Sequence, residues 1–256
     1  MRFDRRAIYI TGAGHGIGRA IALRLAAEGG SIAVSDIDAV AAEEVAREIV
    51  ATGGKAFATT CDVTDTASVE ASFADAVARL GHLNVLVNTA GGDWDEPVFG
   101  EIADELWDRK MDVNLTGVVR CIRAALPSLI AAGPGSNVVT IGSINGNVAV
   151  GGYAYSAAKA GLEILTKNLA VRYGRQGLRF NVVSPGTIRT RNWIGREEDL
   201  GKLARMYPLG RVGEPADVAA AVAFLASADA SWITGVNLPV EGGIMAGPLN
   251  ALVADD

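Results

Sequence analysis

The stretch Ala7-Ile8-Tyr9-Ile10-Thr11-Gly12-Ala13-Gly14-His15-Gly16-Ile17-Gly18 decides the fold. A short apolar run stops at a cluster of glycines, and from Ile17 to Ala27 apolar residues recur at helical spacing until Gly29-Gly30. This reads as strand, glycine turn, helix. Ile17 stands where a GxGxxG fingerprint would carry its third glycine, so the pattern is Thr-Gly-x-x-x-Gly-x-Gly. Residues without a Cβ let the backbone approach a pyrophosphate, and the helix N-terminus behind them offers free N–H groups to an anion. Gly12, Gly16, Ile17 and Gly18 are therefore candidate phosphate contacts. His15, inside the turn, can reach a phosphate or a ribose hydroxyl, or stand solvated.

Outward from this unit the alternation repeats. Strands are expected at 31–36, 56–60, 84–87, 137–141, 179–183 and 235–238, and helices at 41–51, 67–80, 103–132, 155–174 and 215–228. Short β-branched strands separated by helices of this length predict an α/β, doubly wound parallel sheet of about seven strands with helices on both faces. Pro127 is expected to bend or end the long helix over 103–132. No linker or low-complexity tract interrupts the chain, so 1–256 reads as a single domain, with a small substrate lid over 187–208 where the rhythm breaks.

Composition narrows the function. The chain has 256 residues, 50% hydrophobic and 20% charged, with a formal charge of −6, which gives no positive field for nucleic acid or an anionic membrane. The longest uninterrupted apolar run, Val218 to Ala226, is too short to span a bilayer. Met1 to Arg6 leads into a strand rather than a signal-peptide core. Two isolated cysteines, Cys61 and Cys121, suit a reducing, cytoplasmic setting, and with His15 and His82 alone neither a metal site nor a Ser-His-Asp triad is expected.

In a doubly wound sheet, ligands bind beyond the C-terminal strand ends, where the marked residues fall. Asp36 ends the second strand, 18 residues after Gly18, near the spacing at which an acid accepts the adenosine ribose hydroxyls. No Arg or Lys follows in Ile37-Asp38-Ala39 to attract a 2′-phosphate, which favours NAD over NADP. Asp36 could alternatively cap the next helix, but Asp38 is as well placed for that. Asp62 and Val63 follow strand three, Asn88-Thr89-Ala90-Gly91 strand four, Ser143 strand five, and Pro185-Gly186 strand six.

Tyr155 and Lys159 stand four apart, hence on one helix face. Lys159 falls on or beside the apolar stripe Ala158, Leu162, Leu165, Leu169, where it either snorkels over the core or faces the tyrosine. A positive charge about 4 Å away supplies the roughly 4 kcal/mol that brings a phenol pKa from about 10 to about 7. Tyr155 is then a candidate general base.

Taken in order, Thr11 to Gly18, Asp62-Val63, Asn88 to Gly91, Asn114, Ser143, Tyr155-x-x-x-Lys159 and Pro185-Gly186 resemble the motifs of the short-chain dehydrogenase/reductases over nearly the whole chain. The resemblance implies a Rossmann-type domain binding NAD, with Tyr155 as base or acid. It implies that Lys159 lowers the pKa of Tyr155 and holds the nicotinamide ribose, that Ser143 bonds the reacting oxygen, and that Asn114 supports a water relay. It further implies Asp62 and Val63 at the adenine, Ile188 and Thr190 at the nicotinamide amide, and Asn88, Ala90 and Gly91 beside the dinucleotide. A homotetramer or homodimer is implied as well. Thr89 departs from the second asparagine of Asn-Asn-Ala-Gly, which predicts weaker anchoring of that strand.

The implied reaction is hydride transfer between NAD(H) and a small secondary alcohol or ketone. An NADPH-dependent reductase of 3-oxoacyl thioesters is the rival within the family, and a non-catalytic dinucleotide sensor the rival outside it. Asp93, Trp94 and Asn145 could line a polar pocket for a sugar, polyol or other hydroxylated substrate, and Arg191 and Trp193 are candidate lid contacts. Arg191, Arg196, Lys202 and Arg205 could bind an anionic group, or be a solvated face balanced by Glu197, Glu198 and Asp199.

Overall fold

The computed structural model describes residues 1–247, so the part of the domain reading over 248–256 lies outside the described residues. Seven parallel strands form one sheet in the order β3-β2-β1-β4-β5-β6-β7: β1 Ala7–Thr11, β2 Ser31–Asp36, β3 Lys55–Thr60, β4 Val85–Asn88, β5 Asn137–Ile141, β6 Arg179–Pro185 and β7 Asn237–Val240. The doubly wound expectation holds. The helices are α1 Gly16–Ala27, α2 Ala39–Ala51, α3 Thr66–Leu80, α4 Asp104–Met111, α5 Gly117–Ala132, α6 Tyr153–Tyr173, α7 Glu197–Ala204 and α8 Pro215–Ala226. One apolar cluster joins the sheet to α1, α2 and α8, the other to α3, α5 and α6. Both faces are covered, as near-continuous apolar strands require.

The chain winds outward from β1 to β3 and returns to β4 beside β1, which opens a crevice between Thr11 and its register partner Asn88. The buried Thr11 hydroxyl accepts from the N–H groups of Thr89 (3.0 Å) and Ala90 (3.1 Å). The strand end is thus anchored through the backbone, and the Thr89 hydroxyl itself is buried without a partner among the described residues.

The long helix departs from expectation. Pro127 does not end it, for α5 runs on to Ala132, where Gly133 (φ 81°) stops it. The break lies upstream, in a π-turn over Asp112–Thr116, where Gly117 N–H reaches back to the Asp112 carbonyl. Asn114, fully buried inside that turn, donates its amide to the Lys110 carbonyl (3.0 Å), which competes with the regular ladder. The stretch Asp104–Ala132 is long and apolar enough to cross a membrane by length and composition, a feature the uninterrupted-run criterion missed. Here α5 packs on α3, β4 and β5.

Candidate active site

A cavity of about 1340 Å³ lies along the C-terminal strand ends. Gly12, Gly16 and Gly18 form its floor beside β1. Gly12 takes φ +60°, and a Cβ on Gly18 would stand 2.0 Å from the Gly12 carbonyl oxygen, so the loop tolerates no side chain there. His15 N-caps α1 without a side-chain bond, which leaves the first-turn N–H groups toward the cavity. Its Nε2 lies 3.1 Å from Asp38 Oδ2, so the ring is held by a carboxylate.

Asp36 is buried, with Oδ2 accepting Gly14 N–H (2.8 Å) and Oδ1 accepting Asp38 N–H (3.0 Å). Each oxygen keeps a second lone pair for a ligand hydroxyl. Asp38 is the cap of α2, accepting from Ala41 N–H at 3.1 Å, so Asp36 does not serve that purpose. Asp62 and Val63 line the wall, Asp62 fixed by Thr64 through its N–H (2.9 Å) and hydroxyl (2.7 Å).

Ala90 and Gly91 also line the cavity, but Asn88 does not: it is buried beneath, its amide toward the Thr140 hydroxyl at 3.3 Å. Asn114 is likewise outside the wall. Both its N–H groups are committed, to Gly92 O (2.9 Å) and Lys110 O, while its oxygen accepts Gly92 N–H (3.1 Å). It clamps the loop after β4 instead of facing the cavity.

Ser143, Tyr155 and Lys159 converge on the opposite wall. The Ser143 hydroxyl donates to Asn145 Oδ1 (3.1 Å) and accepts Asn145 N–H (3.2 Å), which assigns Asn145 to holding the serine. Lys159 Nζ is buried, donates to the Ile141 carbonyl (2.9 Å) and lies 5.4 Å from the Tyr155 ring centroid. Burial pushes the lysine down to about 8. Burial also pushes the Tyr155 phenol up to about 12; the Ser143 hydroxyl pulls it back, and the Asp93 charge raises it further. Burial of the phenol thus acts against the acidification expected from Lys159. Desolvation disfavours the charged form of each group, the phenolate and the ammonium alike.

Pro185, Gly186, Ile188 and Thr190 continue the wall, with Thr190 Cγ2 only 3.3 Å from where a Gly16 Cβ would be. The segment over 187–208 is a 3₁₀ turn at Arg191–Trp193 followed by α7. Arg191 and Trp193 reach the cavity. Arg196 and Lys202 do not, being paired on the surface with Asp199 and Glu198, and Arg205 is outside the lining as well. Trp94, expected in the pocket, is outside the lining: its ring lies behind Arg109, which does line the cavity, and near Lys110. Val150, Leu203, Met206 and Tyr207 fall within the stretches expected from sequence to wall the pocket, 144–152 and 189–207, and they supply its apolar part; Tyr207 OH accepts Thr187 N–H at 2.7 Å and pins the segment.

A dinucleotide suits this cavity. It runs from the Asp36 acceptors past a side-chain-free cradle and an uncapped helix end to Tyr155 and Lys159, the distribution of polar groups that a ribose, a pyrophosphate and a second ribose demand. Among the described residues no three of His, Cys, Asp and Glu come together as a metal site.

Comparison with known proteins agrees with this geometry. A family profile described as enoyl-(acyl carrier protein) reductase matches residues 12–245. The chain is 40% identical to cyclohexanol dehydrogenase of Acinetobacter sp., covering 94% of this chain and 95% of that protein. It is 38% identical to meso-2,3-butanediol dehydrogenase of Serratia marcescens, covering 96% and 97%. A solved short-chain dehydrogenase/reductase from Serratia marcescens superposes with a TM-score of 0.89 at 32% identity, over 95% of this chain and 99% of that one. Sheet order, glycine loop and the Tyr155–Lys159 wall thus meet in a chain that belongs to the short-chain dehydrogenase/reductase family of oxidoreductases, which work with nicotinamide dinucleotides.

Proposed function

We propose that the protein is an NAD-dependent dehydrogenase of a small secondary alcohol, equally able to reduce the matching ketone. The observation that carries this reading is the convergence of Tyr155, Ser143 and Lys159 on one wall of a cavity whose far end holds Asp36. The relatives named above act, by their names, on a cyclic alcohol and a small diol. The bound dinucleotide supplies or accepts the hydride.

The residues have separate tasks. Tyr155, protonated across neutral pH, gives its proton to the carbonyl oxygen as that oxygen gains charge, and takes it back in alcohol oxidation. Ser143 turns its hydroxyl from Asn145 onto the same oxygen and steadies it. Lys159 holds the ribose beside Tyr155, and its charge is lost as pH rises through about 8. Gly12 to Gly18 receive the pyrophosphate, Asp62 and Val63 flank the adenine, and Ile188 and Thr190 meet the nicotinamide amide. Val150, Trp193, Leu203 and Met206 against Asp93, Asn192 and Arg191 suit a compact substrate with an apolar body and a second polar group. This reading carries with it one dinucleotide-binding domain with a lid over 187–208, a cytoplasmic setting and a homo-oligomer.

The test is turnover of cyclohexanol and 2,3-butanediol with NAD and with NADP, followed by nicotinamide absorbance. Activity with NAD is expected; none with either coenzyme on a broad panel of alcohols would overturn the reading. In Asp36→Asn, which keeps an acceptor for Gly14 N–H but removes the charge, the NAD to NADP ratio of kcat/KM is expected to fall about tenfold or more. Unchanged discrimination would remove the carboxylate from the argument.

A further inference from the structure

Lys110, on α4, is 0% exposed, and no other charged side chain among the described residues is so fully enclosed. Its Nζ donates to Asp93 Oδ1 (2.8 Å), Glu96 Oε2 (2.9 Å) and the Trp94 carbonyl (2.5 Å), so all three donors are used. Burial alone would push its pKa down; the two carboxylates more than offset that, and the ammonium keeps its charge. Glu96 is buried with the ammonium while Asp93 stays partly open to solvent, and an ion pair enclosed as Lys110 and Glu96 are is seldom the most stable filling for its space, since apolar side chains of similar volume do as well. A purpose beyond filling is therefore worth seeking.

What the ammonium joins supplies it. Asp93, Trp94 and Glu96 belong to the loop after β4. The other oxygen of Glu96 accepts the N–H of Tyr153, the first residue of α6 and two before Tyr155. Asp93 Oδ2 lies 3.0 Å from the point a Gly152 Cβ would occupy, and Tyr155 Cβ lies 3.5 Å from that same point. On its other side the Lys110 carbonyl accepts the Asn114 amide, which also holds Gly92 through two hydrogen bonds. One buried charge thereby ties α4, the loop and the first turn of the helix bearing Tyr155.

We propose that Lys110 is a positioning residue for the reaction: through Asp93 and Glu96 it fixes the loop after β4 against the start of α6 and so sets where the Tyr155 hydroxyl meets the substrate. This rests on the reading of Tyr155 as proton donor and acceptor. Asp93 from the loop and Lys159 from α6 are the charged groups near the phenol, with Ser143 the polar one from the end of β5.

The experiment compares the whole protein with Lys110→Met and Glu96→Gln. In Lys110→Met, kcat with NAD and an alcohol turned over by the parent is expected to fall about tenfold or more, with KM and NADH affinity by fluorescence titration nearly unchanged. The Tyr155 phenol, read as tyrosinate absorbance against a Tyr155→Phe counterpart, is expected to titrate at higher pH, because Asp93 has lost its counter-charge. Glu96→Gln should lower kcat in the same direction by a smaller factor. A merely structural role would lower the melting temperature and leave kcat and the phenol titration of the folded enzyme where they were. That result in Lys110→Met, or in Glu96→Gln should Lys110→Met not fold, overturns the proposal. A parent without turnover on any alcohol would instead count against the functional reading, and the phenol titration would still decide on Lys110.

Discussion

Tyr155→Phe is expected to bind NADH as the parent does and to lose two or more orders of magnitude in kcat, the loss typical for removal of a positioned acid or base (~10²–10⁴-fold). The substitution deletes one oxygen from a half-buried ring whose Cβ and helix register are unchanged, so the fold has no reason to respond. The phenol pKa near 12 sharpens this expectation. As an acid for ketone reduction the group is fully loaded at neutral pH, whereas alcohol oxidation needs its conjugate base and is therefore expected to accelerate toward alkaline pH. Steady-state kinetics in both directions, with NADH binding measured by fluorescence, check both statements. Retained turnover would mean that another group moves the proton.

Lys159→Met should lose turnover and gain stability. Free lysine titrates near 10.5, and burial holds Lys159 at about 8 in the folded protein. Below about pH 8 the native state bears the full cost of a buried ammonium. Between about 8 and 10.5 the unfolded chain binds more protons than the native one, so this lysine makes stability rise with pH across that window. The difference corresponds to roughly 3 kcal/mol, less about 1 kcal/mol for the Ile141 carbonyl left without its donor. Denaturant unfolding near neutral pH is therefore expected to favour Lys159→Met by about 2 kcal/mol, with the difference shrinking as pH approaches 10. A variant less stable than the parent at neutral pH would contradict the burial argument.

The strands and the edge on which chemistry collects were legible because they rest on local signals. A β-branched run cut by Gly12, or Asp36 at a strand end, needs no knowledge of what lies across the sheet. Orientation is a different matter. Asn88 and Asn114 stand at the expected positions in the chain, yet Asn88 turns its amide to Thr140 and Asn114 commits both N–H groups to backbone carbonyls, because a buried amide turns to the nearest hydrogen-bond partners. Trp94 looked like a wall residue by its place after β4, and its ring is drawn to Arg109 instead. The interruption in the long helix was sought at Pro127, the one residue whose chemistry announces it. It fell at Asp112–Thr116, where a side chain's claim on the Lys110 carbonyl decides, and no single residue type betrays that. Nothing in Arg109-Lys110-Met111-Asp112 marks the lysine as internal; only the arrival of Asp93 and Glu96 from another element makes it so.

The π-turn amounts to one surplus residue carried inside an otherwise continuous helical segment. A wide turn of this kind sweeps about as much angle with five residues as a regular helix does with four, so it absorbs the extra residue and leaves α4 and α5 nearly in phase. What a deletion between Asp112 and Thr116 would remove is the wide turn itself, and with it the place where the Asn114 amide meets the Lys110 carbonyl. The irregularity therefore stores one extra position without turning either half, and shortening the segment would trade the grip of Asn114 on the loop after β4 for a more regular helix.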